Sequence, residues 1–142
     1  CLVSGPARAW LYRLAAYTGF RASELASLGI GSFTFAAAVP TAVTVEAKDA
    51  KGGRRESVPI PSHLAGPLAA WLATIPAGRR LWPGDWAANR GQWSWLDRDC
   101  GRAKVVKFPF HAFRAFFITS VIEAGANVAE LQSLARHRSA HT

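Results

Sequence analysis

The sequence predicts an α+β domain, mainly α-helical, with a small three-stranded antiparallel sheet in its N-terminal third. Three observations carry this. Apolar residues recur at helical spacing in Trp10, Leu14 and Tyr17, and again in Leu64, Leu68, Trp71, Leu72 and Ile75. Between those stretches lie short β-prone runs at 32–35, 42–46 (Ala-Val-Thr-Val-Glu) and 56–60 (Glu-Ser-Val-Pro-Ile). Half of the 142 residues are hydrophobic, which suits one domain with its own core and excludes a disordered tail. No apolar run reaches the roughly 20 residues that a membrane-crossing helix needs.

The elements follow in order. A helix is predicted from Pro6 to Tyr17, broken by Thr18-Gly19. A second covers Arg21 to Leu28 and ends near Gly29. The strands come next, with a turn at Gly52-Gly53 and with Pro59 marking an edge or an end. Pro61-Ser62 opens a third helix, with Ser62 as N-cap. Residues 76–85 read as Pro/Gly-rich loop, then a helix runs from Ala87 to Arg102 and another from Phe110 to Ala124, stopped by Gly125. Asn127 and Glu130 form a capping-box-like pair for a last helix to about Arg136. There is no internal repeat.

Lys and Arg number 17 against 9 Asp and Glu, a formal charge of +8. That excess favours a polyanionic partner, nucleic acid first, over the alternative of a merely solvated basic surface. Two cysteines, Cys1 and Cys100, are too few for a disulfide scaffold or a zinc site and suggest a reducing, intracellular setting. No signal peptide is visible, and a start at Cys1 rather than Met is expected not to be the natural one. The six tryptophans could stack bases, as in single-strand binders. Trp10, Trp71 and Trp93 fit apolar helical stripes, however, so core is the preferred reading for most of the six.

Four polar clusters stand out. Arg21 follows a tight turn at a helix start, where the macrodipole favours acids, so a bound anion is one reason for it. Glu24, three residues on and on the same helical face, is placed to orient the Arg21 guanidinium; the alternative is a plain surface ion pair. Lys48, Lys51, Arg54 and Arg55 form a basic turn between strands, suited to delivering a lysine to a phosphate or to simple solvation. His111 and Arg114 share one helix face beside Phe110, Phe113, Phe116 and Phe117, where strong polar groups need partners or a ligand. The last cluster is Arg136-His137-Arg138-Ser139. His137 and His141 are spaced for a metal, but no carboxylate or cysteine follows, and no metal site is expected.

Together these clusters resemble the tyrosine recombinase (phage integrase) family. YRLAAYTGFRASELASL at 12–28 resembles its first box, with the Thr-Gly-x-Arg-x-x-Glu-Leu core. Lys51, seven residues before Val58-Pro59-Ile60-Pro61, resembles its β-hairpin lysine, with Lys48 as competitor. HAFR at 111–114 resembles the His-x-x-Arg box, and ARHRS at 135–139 the Leu-Gly-His-Ser-Ser box, with Arg136 where the family has Gly. The resemblance spans about Gly5 to Thr142, so 1–142 is read as one catalytic domain. The family's N-terminal DNA-clamping domain is missing, and the chain stops before its nucleophilic tyrosine; Tyr12 and Tyr17 lie in the first helix and cannot replace it.

The resemblance implies site-specific DNA recombination or integration through a 3′-phosphotyrosyl link, without metal or other cofactor. It assigns Arg21 and Arg114 to the phosphate oxygens, Lys51 to the leaving 5′ oxygen, His111 to the tyrosine or the phosphate, His137 to a phosphate hydrogen bond, and Glu24 to support of Arg21. Lys48, Arg54, Arg55, Arg102, Lys104 and Lys107 are expected on the DNA backbone. Partners would be double-stranded DNA and further recombinase subunits in a tetrameric synapse, with no membrane, in the bacterial cytoplasm at the nucleoid. The fragment alone would hold a scissile phosphate without cutting it. The competing reading is a non-catalytic DNA-binding remnant of an integrase.

Overall fold

The structure is a computed structural model that describes residues 3–125. The predicted last helix, with His137, lies outside the described residues.

Helix α1, Gly5–Thr18, is the central rod, with Trp10, Leu11, Leu14, Ala15 and Thr18 buried. Its start is capped by Ser4, whose Oγ accepts from the Ala7 N–H. Its end is a left-handed Gly19, φ 69°, whose N–H returns to the Ala15 carbonyl. Helix α2, Ala22–Ala26, is a single short segment and stops earlier than the predicted Leu28. A 3₁₀ turn at Ile30–Ser32 leads into the sheet.

The sheet has β1 (Phe33–Ala36), β2 (Val39–Val45) and β3 (Glu56–Pro59) in the order β1-β2-β3, all antiparallel. Pro59 ends an edge strand, where its missing N–H costs no ladder bond. Strands β1 and β2 are joined by Ala37-Ala38, both at positive φ (51° and 65°). This is the backbone of a tight hairpin turn, and alanine gives no sequence signal for it. Val43 pairs with Val58, and both are buried along with Val45.

Helix α3, Ser62–Leu72, lays Leu64, Ala65, Leu68 and Leu72 into the core and contacts β2. Its N-cap is Pro61, not Ser62, which already lies inside the first turn, and no side chain caps the helix. Helix α4, Gly91–Ala103, begins four residues later than the predicted Ala87, because Arg90 sits in the left-handed region (φ 58°) and sets the helix start. Helix α5, Ala112–Glu123, packs on α1 and is followed by Gly125 at φ 88°. A tryptophan stack ties the layers together: Trp10 on Trp71, Trp71 on Trp82, and Trp86 against Trp95. Trp82 Nε1 donates to the Ala7 carbonyl, so its polar edge is satisfied inside the core. Trp93 departs from the predicted stripe and is 43% exposed. Among the described residues no helix is long and apolar enough to cross a membrane.

Candidate active site

The left-handed turn at Gly19 carries the chain from α1 into α2 and delivers Arg21 to the N-cap position of α2, in extended backbone (φ −76°, ψ 161°). Glycine is required at that turn. A Cβ on Gly19 would stand 2.5 Å from Cδ2 of Phe117, and L side chains rarely adopt its φ of +69°. The same close approach lets α5 seat against the turn, so Arg114 Nη1 donates to the Gly19 carbonyl at 2.6 Å. Two segments 95 residues apart in sequence are thereby joined next to Arg21.

Glu24 is fully buried. Its Oε1 accepts the backbone N–H of Arg21 at 2.8 Å, and its Oε2 accepts the backbone N–H of Lys51 at 3.0 Å. One carboxylate therefore fixes the main chain of both the α2 start and the β2–β3 turn. Lys51 is exposed on that turn, braced by Glu24 through its main chain. Lys48 is exposed on the same turn three residues earlier.

Arg21, His111 and Arg114 line one small cavity of about 110 Å³, together with Phe20, Ala22, Gln92, Trp93 and Phe110. Two guanidinium groups and an imidazole in so small a concavity suit a tetrahedral oxyanion, because guanidinium forks match phosphate oxygens two at a time. Among the described residues the Arg21 guanidinium has no hydrogen-bond partner. The ring of His111 sits 6.3 Å from that of Trp93, and the Arg90 guanidinium lies over Trp93, 5.7 Å from its centroid. Sequence reasoning missed Gln92 and Trp93. Their place at the cavity depends on the packing of α4 beside Phe110 and Arg21, which the spacing of apolar residues along α4 does not reveal.

The other expected contact residues lie elsewhere. Arg54 is exposed on the β2–β3 turn, and Arg55 there pairs with Glu46 at 3.1 Å, a solvent-screened contact. Arg102, Lys104 and Lys107 are exposed at and beyond the far end of α4, about 15 Å along the helix axis from Trp93. His137 lies outside the described residues.

Neither tyrosine of the chain is placed to attack in the cavity. Burial, with a hydrogen bond to Asp99 Oδ2, pushes the Tyr12 phenol well up from its ordinary value. Tyr17 bonds His63 Nε2 at 3.2 Å and lines a separate apolar groove of about 460 Å³ bounded by Pro59, Phe116 and Phe117.

No family model and no curated protein sequence matches this chain. Solved structures do. The XerH site-specific recombinase in a pre-cleavage complex with its difH substrate superposes with a TM-score of 0.69 at 20% identity, over 93% of this chain and 40% of that one. XerA recombinase gives 0.68 at 18% identity, over 98% of this chain and 57% of that one. The catalytic domain of bacteriophage HP1 integrase gives 0.58 at 22% identity, over 91% of this chain and 67% of that one. The chain thus spans about two fifths to two thirds of the length of these structures. Their likeness establishes the architecture: the chain has the α+β fold of recombinase and integrase catalytic domains, the fold that its tyrosine-recombinase resemblance implied.

Proposed function

We propose that this domain binds the scissile phosphodiester of double-stranded DNA for site-specific recombination or integration by a tyrosine recombinase. The observation that carries the reading is the convergence of Arg21, His111 and Arg114 on one cavity from opposite ends of the chain. The DNA-bound recombinases of the same fold and the charge of +8 support it.

In this reading a tyrosine Oη bonds to phosphorus while the P–O5′ bond breaks, and the leaving 5′ oxygen takes up a proton. The two arginines hold the non-bridging oxygens as charge builds on them. Lys51, braced through Glu24, gives the proton to O5′, a task for an ammonium that titrates rather than a guanidinium that does not. His111 takes or orients the phenolic proton. His137 donates a further hydrogen bond to the phosphate. The attacking tyrosine comes from outside these 142 residues, since Tyr12 is engaged with Asp99 and Tyr17 faces another groove. The bond energy is kept in the tyrosyl link, so the chemistry draws on no nucleotide. The reaction runs in the bacterial cytoplasm at the nucleoid, within a synapse of several subunits.

The test is Arg114→Ala and Arg21→Ala in the whole protein that carries this sequence. Cleavage of a suicide substrate should fall by at least about a thousandfold, the scale for removing a fixed oxyanion donor. Affinity for DNA should change by less than about tenfold, because backbone contacts elsewhere remain. Equal losses of binding and cleavage would assign both arginines a structural role. A competent wild-type protein that binds but never cleaves would favour the remnant reading. DNA affinity that stays flat as salt rises would remove DNA as the partner.

A further inference from the structure

Trp10, Trp82, Trp86 and Trp95 are buried and Trp71 is half-buried against them, whereas Trp93 leaves 43% of its surface open. A single exposed apolar side chain is ordinary on any protein surface. The surroundings of this one are not. Trp93 lines the same cavity as Arg21, His111 and Arg114. One cation, Arg90, lies over its ring, and Arg90 holds a left-handed backbone (φ 58°) at the start of α4. Next to it Gln92 is only 4% exposed, yet its Oε1 has no hydrogen-bond partner. A buried amide offers both an acceptor and a donor, and leaving one unmade is unusual enough to need a reason. A phosphate has only acceptors and cannot serve both. A nucleobase edge carries donors and acceptors, and its face suits an indole.

We propose that Trp93 is a stacking shelf for an unpaired nucleobase directly beside the phosphate held by Arg21 and Arg114, with Gln92 in the adjoining wall of the same cavity. The assignment rests on the phosphate reading above, which puts a nucleotide within reach of the indole. The base must be unpaired, because in an intact duplex both faces of every base are already covered by neighbours. Stacking on an aromatic face tolerates any base, so the shelf favours melted DNA at the cleavage position without reading its sequence.

The test compares the chain's affinity, by fluorescence anisotropy at one salt concentration, for a fully paired duplex and for the same duplex with one unpaired nucleotide. Wild type should prefer the unpaired site by about tenfold, within the range of base–aromatic stacking. Trp93→Ala should abolish that preference and leave paired-duplex binding within about twofold, and Trp93→Phe should keep most of it. Full preference in a folded Trp93→Ala would overturn the proposal. Photocrosslinking of wild type to 5-iododeoxyuridine at the unpaired position gives an answer even if the alanine variant does not fold. A crosslink mapping to Trp93 supports the shelf, and one mapping only to other residues sinks it. Arg21→Ala and Arg114→Ala separate the two readings. If they weaken both DNAs alike, the phosphate site stands whatever Trp93 does. If neither lowers cleavage by the whole protein while Trp93→Ala still removes the preference, the shelf stands and the phosphate site does not.

Discussion

Two arginine clusters flank helix α1, and they treat their charge in opposite ways. Near its start, Arg8 gives Nε and Nη2 to Asp99 at 2.8 and 3.0 Å and Nη1 to the Val3 carbonyl at 2.8 Å. Tyr12 adds its hydroxyl to the same carboxylate at 2.5 Å. The guanidinium fork is used inside the protein, and the result is a clamp between α1 and α4. Beyond its end, the acid of the cluster, Glu24, bonds the backbone N–H groups of Arg21 and Lys51, and the Arg21 side chain is left to line a cavity. A carboxylate spent on the main chain positions an arginine without answering it. That difference separates an arginine whose fork is answered inside the fold from one whose side chain lines a cavity, where the proposed reading puts a phosphate.

The largest effect should come from removing the brace. Glu24→Ala leaves two part-buried backbone donors without their acceptor, at the lower end of about 1–3 kcal/mol each, and removes a buried side chain that both share, so a loss of about 3 kcal/mol is expected in urea melts. Cleavage by the whole protein should fall with it, because Arg21 and Lys51 lose their shared anchor. Unchanged stability would mean that the two N–H groups find other partners and that the brace is incidental. Gly19→Ala should come next, at about 3 kcal/mol, combining a left-handed φ with a Cβ 2.5 Å from Phe117. It should also displace the Gly19 carbonyl that accepts from Arg114, so its cost in cleavage should exceed its cost in stability.

These positions also mark how far the sequence could be read. The helices and strands were legible because apolar spacing follows the backbone period, and Gly19 was legible as a break. The cluster Arg21–Glu24 was visible as a pair, but not what the acid does: its bond to the Lys51 main chain depends on a turn 27 residues away. His111 and Arg114 were legible as one helix face, and α1 packing on α5 brings that face to Arg21. Trp93 was misread as core because its spacing fits an apolar stripe. The face of α4 that packs inward carries Gln92, Trp95, Leu96 and Cys100, which leaves Trp93 outside it, and the left-handed Arg90 that sets the helix start leaves no mark in a sequence. The Ala37-Ala38 turn was hidden for the same reason.

The clamp near the start of α1 gives smaller effects, confined to stability. Asp99→Asn removes the charge that answers Arg8 and should cost about 2 kcal/mol, the scale of a charge-assisted hydrogen bond. Binding to a paired duplex should stay within about twofold of wild type, since no phosphate contact is altered. If Asp99→Asn instead impaired cleavage as much as Glu24→Ala, the two clusters would not be separable. The stack of Tyr12 on Phe113 would then be the route between them, because Phe113 lies between His111 and Arg114.

The smallest effect is a pH dependence that belongs to the clamp alone. The hydrogen bond from Arg8 holds the Asp99 carboxyl below the usual carboxylate range, with Tyr12 adding to the shift against a partly opposing burial. A folded value below the unfolded one, about 3.9, means that the unfolded chain binds the proton first as pH falls. The stability Asp99 contributes is therefore fully present above about pH 4 and is lost as pH drops through its lower folded value. Wild type should lose stability over that acid range more steeply than Asp99→Asn, and the two curves should converge at the acid end. Parallel curves from pH 7 to pH 3, measured by urea denaturation at each pH, would mean that Asp99 has the same affinity for a proton folded and unfolded. Arg8 would then be held by geometry rather than by charge, and the contrast with Arg21 would rest on hydrogen bonds alone.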